Sequence, residues 1–229
     1  MGLNQYPPRA TKYFDSEGRE NLKQVLRVVK RSLRNSEEMR NLKLVFFTAY
    51  GEGPLLATQT LKEWTPKIIA VTFPPTFKVR RGEEWVTPTL TKEVDTFLRD
   101  MDVRIITARL PLDTMVGAES HSREMDTIKN ALAMFGESFP LCVQAVLQAC
   151  DFGFVENGES VIGITGDTAA IIRACPTENF LSPRSLFFVR EFLCKPAVRE
   201  LNRKLHGKPE AIIQKTLEGN VQPIQNSVE

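Results

Sequence analysis

The sequence has little of what usually marks a metalloprotein, a secreted protein or a membrane protein. Its 229 residues include only two histidines and four cysteines. The cysteines are widely spaced and form no CxxC pair, which predicts buried free thiols in a reducing cytoplasm and no metal site. No apolar run approaches the roughly 20 residues that span a bilayer, and no N-terminal apolar segment suggests export. We therefore expect a cytoplasmic protein without a membrane partner.

A large excess of charge of one sign is also missing. Thirty Lys and Arg residues against 28 Asp and Glu residues give a formal net charge of +2, with both signs mixed along the chain. Bulk charge therefore predicts no nucleic-acid partner. The nucleophile elbow, the Walker loop and the dinucleotide glycine fingerprint are absent as well, so no common catalytic motif assigns a reaction.

A short apolar run in the first quarter of the chain predicts a buried strand. Residues 44–47 (LVFF) are too few for a helix, and a small polar corner at 48–53 separates them from a helical pattern at 55–61. Ligands collect at such corners in open α/β sheets, because free N–H groups and the positive end of the helix dipole point into the crevice. Any strand–helix turn also needs small residues, so the corner alone leaves both interpretations open.

Similar alternations surround this strand. They predict an edge strand at 11–14, an amphipathic helix from about Gly18 to Asn35, strands at 67–73 and 103–107, and a helix over 94–101 opened by Thr89 or Thr91. Short strand–helix alternations of this kind favour a parallel sheet with right-handed crossovers.

The second half of the chain has a different pattern. Two helices, one ending near Phe135 and one over 139–152, precede two apolar runs that flank Gly166-Asp167, a dipeptide suited to a hairpin turn. A last strand is predicted at 186–193. We therefore expect a three-layer α/β/α sandwich over residues 11–196, mostly parallel with one antiparallel hairpin. A flexible arm at 1–10 and a surface helix and tail at 197–229 complete the predicted organisation.

The segment at 76–88 (TFKVRRGEEWVTP) leaves the carboxyl end of a predicted strand. A connection this long is usually functional or disordered, so it is a candidate lid. The alternative is an inert solvated loop with Trp85 packed on its base.

Several motifs together resemble the family of stand-alone pyruvate-kinase-like α/β domains, relatives of the C-terminal domain of pyruvate kinase. The likeness covers about residues 13–196. The matching segments are YFDSEGREN (13–21), FFTAYG (46–51), IIAVTF (68–73), ACD (149–151), GDTAAIIRA (166–174), NF (179–180) and FLCKP (192–196).

The resemblance implies a domain without the barrel that carries pyruvate kinase chemistry, so phosphoryl transfer is not expected. Similar domains hold flavin mononucleotide (FMN), which implies a flavin or another phosphorylated small molecule as ligand. Carried over by position, three loops would form its site. Their residues are Thr48, Ala49, Tyr50 and Gly51, then Thr72 and Phe73, then Gly166, Asp167 and Thr168.

Two alternatives remain open at this stage. One is a flavin-dependent enzyme with Asp167 or Glu52 as acid or base, although Gly-Asp is also what a plain hairpin turn requires. The other is a homo-oligomeric regulatory domain without ligand chemistry, with the apolar segment 186–193 as its subunit contact.

Overall fold

A seven-stranded sheet forms the centre of the computed structural model, which describes residues 10–81, 83–113, 123–199 and 210–218. Its strands are β1 (Lys12–Phe14), β2 (Lys43–Phe47), β3 (Ile68–Thr72), β6 (Arg104–Thr107), β7 (Ser160–Ile164), β8 (Ala169–Arg173) and β9 (Phe188–Pro196). Two more strands, β4 (Val79–Arg81) and β5 (Glu84–Val86), pair separately as a hairpin. The order is β1-β9-β8-β7-β2-β3-β6, and among these described strands β8 alone is antiparallel to its neighbours. The predicted α/β fold with a mostly parallel sheet is confirmed.

Helices lie on both faces of the sheet. They are α1 (Leu22–Asn35), α2 (Glu37–Arg40), α3 (Glu52–Thr60), α4 (Lys92–Asp100), α5 (Arg123–Ala133), α6 (Phe139–Asp151) and α7 (Glu210–Glu218). One face of the sheet packs against α1, α3 and α4, and the other packs against α6. None of the described helices has the length and apolar character needed to cross a membrane.

Strand β2 shows how the sequence builds two cores. Leu44 and Phe46 point to the face that α1 covers, whereas Val45 points to the face that α6 covers, and all three are buried. This follows from the two-residue period of a strand. Burying a side chain of this size contributes about 1.5–3 kcal/mol before the entropic cost of ordering it.

Helix α1 begins later than its sequence predicts. Residues Arg19–Asn21 form a short 3-10 helix, and the α-helix starts at Leu22 with Asn21 as an N-cap whose side chain makes no capping hydrogen bond to the helix. The N–H of Gly18 donates to the carboxylate of Asp167 at 2.6 Å. This contact with a residue far away in the sequence keeps the segment before Leu22 out of the α-helix. The apolar stripe itself is buried as predicted.

The candidate lid at 76–88 contains secondary structure that its sequence did not indicate. Strands β4 and β5 pair within it, with Val79 opposite Val86. Trp85 is 66% exposed, so the alternative that packed this ring on the base of the loop is wrong. The two strands pair only with each other among the described strands.

Two strand predictions need correction at the sheet edges. Strand β6 is an edge strand, so Arg104 and Thr107 are exposed where a buried strand was expected. Strand β9 continues to Pro196 instead of ending at Leu193, because Cys194–Pro196 pair with β1.

The predicted terminal segments are described only in part. The arm at 1–10 lies outside the described residues except for Ala10, and so does the tail beyond residue 218. Within 197–229, Glu210–Glu218 form α7, which packs on the domain. Ile213 is buried, and the Gln59 side-chain amide donates to the Thr216 carbonyl at 3.0 Å.

Candidate functional site

Strands β2, β3 and β7 are parallel neighbours, so the loops that follow them meet at one edge of the sheet. We call this the carboxyl edge. Phe47 lies opposite Val71, and the Thr48 N–H donates to the Val71 carbonyl at 2.9 Å. On the other side of β2, Phe46 lies opposite Ile164, the last residue of β7. The three predicted loops are therefore brought together.

The Thr48 hydroxyl is used within its own loop. It accepts from the Gly51 N–H at 2.9 Å and donates to the Glu52 carboxylate at 3.0 Å. Gly51 has a φ of 90°, and a Cβ atom there would lie 2.5 Å from the Val94 side chain. The loop thus requires glycine at position 51. Hydrogen bonds within the loop therefore satisfy the Thr48 hydroxyl and the Gly51 N–H, the groups that were predicted to contact a ligand.

Helix α3 presents its N-terminus to the same edge. The N–H groups of its first turn have no intrahelical acceptor, and the positive end of the helix dipole favours an anion there. Glu52, the first residue of the helix, is only 8% exposed and places a carboxylate at this end. The helix end is therefore already supplied with a negative charge, which disfavours a second anion such as a phosphate.

The second loop presents aromatic surface. The Thr72 hydroxyl is buried and donates to the Ala49 carbonyl at 3.4 Å. Phe73 is partly exposed, meets Phe47 edge to face at 5.1 Å between centroids, and stacks on Phe77 at 4.2 Å. Phe77 leads into the β4–β5 hairpin, so this stack joins the hairpin to the end of β3.

The third loop directs its polar groups into the protein. The turn is closed by the Thr165 N–H, which donates to the Thr168 carbonyl at 2.8 Å. The Asp167 carboxylate is fully buried and accepts hydrogen bonds from the Gly18 N–H, the Ser138 hydroxyl and the Thr168 hydroxyl. This carboxylate connects the loops that follow β1 and β7 to the start of α6.

Gly166 is needed for this packing. A Cβ atom at position 166 would lie 2.8 Å from the Cα atom of Arg19, so the turn and the segment after β1 approach each other closely. The predicted site turn therefore contacts the protein's own chain where the sequence placed a ligand.

Two polar residues at this edge were missed by sequence reasoning. Glu17 is fully buried and accepts from the Glu137 N–H at 2.9 Å, and Ser138 shares a hydrogen bond with the Thr165 hydroxyl at 2.7 Å. Their partners lie 120 and 27 positions away in the chain. No local pattern signals contacts of that kind.

The nine predicted residues thus divide into two groups. Thr48, Gly51, Thr72, Asp167 and Thr168 are buried, whereas Ala49, Tyr50, Phe73 and Gly166 are partly exposed. The accessible part of the carboxyl edge is mainly aromatic and backbone surface, and the buried part holds the loops in place. No protein-family model matches the sequence.

Proposed function

We propose that the carboxyl edge between the ends of β2 and β3 binds a small molecule with a planar ring and a phosphate, such as FMN, without pyruvate kinase activity. The observation that carries the proposal is the partly exposed, stacked aromatic pair of Phe73 and Phe77 at the end of β3, where the loops after β2 and β3 meet. Stacking on such rings contributes about 0.5–1.5 kcal/mol beyond the area buried.

The proposal includes membership of the pyruvate-kinase-like α/β domain family. It is supported by the order of the motifs along the chain and by a mostly parallel sheet that contains the antiparallel β7–β8 hairpin. Within such a site the buried residues Thr48, Thr72 and Asp167 shape the loops, and the ligand contacts the exposed ones.

The phosphate needs a partner other than the first turn of α3, because Glu52 already places a carboxylate there. We expect it to contact exposed cations of the adjoining segments, Lys78 in the hairpin segment and Arg109 after β6. The end of β6 adjoins that of β3, since Thr107 lies opposite Thr72 and the Ala108 N–H donates to the Thr72 carbonyl at 3.2 Å.

The first experiment is the visible absorption spectrum of the protein purified without added cofactor, read together with the supernatant after heat denaturation. Flavin bands in both samples support a flavin ligand. A colourless protein that shows no thermal shift with FMN or with a panel of phosphorylated metabolites overturns the proposal.

Variants then locate the site. Phe73→Ala should weaken FMN binding about 10-fold, which corresponds to about 1.4 kcal/mol. The control is Phe152→Ala, which removes a more exposed phenylalanine ring that follows α6 at the opposite edge. Arg109→Ala should weaken FMN more than it weakens riboflavin, which lacks the phosphate, and Arg34→Ala should change neither.

We also propose that the chain forms a homo-oligomer through the start of β9. Leu186 and Phe188 are 43% and 56% exposed, and Leu181 nearby is 59% exposed. Burying large apolar side chains of this kind favours association. Light scattering checks the proposal, and a strictly monomeric protein at high concentration contradicts it.

A further inference from the structure

A second cavity opens at the amino edge of the sheet, where β2, β3 and β6 begin. It has a volume of about 720 Å³ and lies at the far end of the strands from the carboxyl edge. Small-molecule pockets usually measure about 300–1,000 Å³, so its size suits a metabolite. Its walls come from the starts of these strands and from the segments that follow α3, α4 and α6.

Basic side chains line this cavity. Lys62, Lys67 and Arg104 come from three different segments of its wall, together with Lys43. Lys43 already donates to the Glu159 carboxylate at 2.8 Å and to the Phe154 carbonyl at 2.9 Å.

The other three cations are not held in this way. Among the described residues, the ammonium groups of Lys62 and Lys67 make no hydrogen bond or ion pair, although their backbone carbonyls accept from Thr65 and Leu44. Arg104 lies 3.9 Å from Asp102, but their side chains are 65% and 92% exposed. Such an exposed pair contributes little, so Arg104 can take another partner.

The C-terminal ends of helices near the cavity offset part of this positive charge. A helix C-terminus carries roughly half a negative charge, and the ends of α3, α4 and α6 all lie nearby. These partial charges and Asp102 together offset most of the charge of Lys62, Lys67 and Arg104. They leave no net negative charge in the cavity, and the three cations line one common space. A ligand anion would pair with these cations directly.

The floor of the cavity is apolar. Ile68 and Ile69 are nearly fully buried at the start of β3, and Phe154 and the 46% exposed Met101 stand on the walls. A bare anion would leave this surface in water. A ligand with an apolar body and an anionic group would cover it and reach the cations at the same time.

Two unusual backbone conformations shape the rim. Thr65 and Asp102, with φ angles of 42° and 57°, are the non-glycine residues with positive φ among the described residues, and both line the cavity. Thr65 is the C-cap of the 3-10 helix Lys62–Trp64, and Asp102 follows Met101, the C-cap of α4. Each lies two or three residues before a strand, so Lys67 and Arg104 line the cavity where β3 and β6 begin.

We propose that this amino-edge cavity binds an amphiphilic anion, a small molecule whose carboxylate or phosphate contacts Lys62, Lys67 and Arg104 while its apolar body contacts Met101 and Phe154. The site is separate from the carboxyl edge and does not depend on the function proposed there. Nothing in the proposal requires catalysis.

The probe is the aromatic sulfonate 8-anilinonaphthalene-1-sulfonate, whose fluorescence rises when it binds apolar surface. Lys67→Ala combined with Arg104→Ala should weaken its binding about 10-fold, as expected for removing two partly solvated charges. Lys23→Ala combined with Lys92→Ala removes the same charge from exposed positions at the starts of α1 and α4, and should have no effect.

A charge placed inside the cavity gives an independent test. Met101→Glu should abolish binding of the probe. Met101→Gln introduces a side chain of the same shape as glutamate but without its charge, and should retain binding. Urea unfolding of both variants shows that they are folded. The proposal is overturned if Met101→Glu and Met101→Gln bind the probe equally well. It is also overturned if the cavity double variant and the control double variant lose the same amount of probe binding.

Competition identifies the chemistry of the ligand. Phenyl phosphate or benzoate should displace the probe, and the stronger competitor distinguishes a phosphate ester from a carboxylate. Benzyl alcohol and inorganic phosphate should each displace it much less. If benzyl alcohol competes as well as the aromatic anions, or inorganic phosphate competes as well as phenyl phosphate, the site does not select an amphiphilic anion and the proposal fails.

Discussion

Replacing Asp167 should destabilise the fold strongly, because its carboxylate joins three segments inside the protein. The side chain is fully buried and accepts hydrogen bonds from the Gly18 N–H at 2.6 Å, from the Ser138 hydroxyl and from the Thr168 hydroxyl at 3.0 Å. Hydrogen bonds to a charged group contribute about 1.5–3 kcal/mol each, although they are not additive. Asp167→Ala removes the acceptor of one buried N–H and of two hydroxyls. We expect the free energy of unfolding to fall by about 3–5 kcal/mol.

Asp167→Asn should cost less, about 1–2 kcal/mol. Its remaining oxygen can accept from Gly18, and the Ser138 hydroxyl can rotate to accept from the new amide group. The difference between the two variants therefore measures the combined cost of the unpaired Gly18 N–H and hydroxyls and of the lost side-chain volume.

Urea unfolding followed by far-ultraviolet circular dichroism is the assay. Asp100→Asn is the control, because Asp100 is an exposed carboxylate at the end of α4 and its replacement should change stability by less than about 0.5 kcal/mol. If Asp167→Ala unfolds within 1 kcal/mol of the unmodified protein, the structural role is refuted. Loss of ligand binding in a variant of unchanged stability would instead favour a direct role in the site.

Three further predictions concern packing, ionisation and capping. Gly166→Ala should lower stability by about 1–3 kcal/mol, since its Cβ atom would approach the Arg19 Cα atom to 2.8 Å; a neutral result in urea unfolding would contradict that packing. Burial raises the pKa of the Cys142 thiol and raises the pKa of the Cys194 thiol to about 12. Above pH 9 both thiols therefore stay protonated in the folded protein, whereas they ionise in the unfolded chain. The free energy of unfolding should therefore fall by up to about 1.4 kcal/mol per pH unit for each thiol above pH 9. Urea unfolding midpoints measured from pH 8 to 10 check this. The midpoint of Cys194→Ala should fall less steeply with pH than that of the unmodified protein. Thr91→Ala should cost about 1 kcal/mol, because the Thr91 hydroxyl caps α4 by accepting from the Val94 N–H at 3.4 Å, and Thr91→Ser should restore most of the loss.

Patterns of apolar and turn-forming residues in the sequence correctly predicted the strands and the hairpin that depend on neighbouring residues. The apolar runs at 44–47 and 68–72 gave strands in the expected places, and the Gly166-Asp167 dipeptide gave the expected antiparallel hairpin. In each case the signal and the structure lie within a few consecutive residues. Periodicity is reliable over that range.

The errors have non-local causes. Helix α1 starts late because Gly18 bonds to Asp167, 149 positions away. Strand β9 extends past Leu193 because the next three residues pair with β1. A single sequence carries no sign of either partner, so propensity gave the wrong boundary.

The same limit applies to the candidate site. The carboxyl edge could be located from the sequence, because a small polar corner follows the predicted strand at 44–47 and the predicted strand at 67–73 is parallel to it. The sequence could not show that Thr48 uses its hydroxyl within its own loop and that Asp167 uses its carboxylate on a distant segment of the protein. It also gave no hint of the amino-edge cavity, whose wall residues come from widely separated parts of the chain.

The pairing of β1 with β9 has a consequence for the order of folding. Thr11 and Phe192, which share a hydrogen bond beside this pair of strands, lie 181 positions apart in the chain. A ribosome must therefore synthesise nearly the whole domain before β1 has a neighbour, while α1 can already cover part of the growing sheet. Closing so long a loop is entropically slow, so this edge should be completed last during synthesis and should open first in hydrogen exchange.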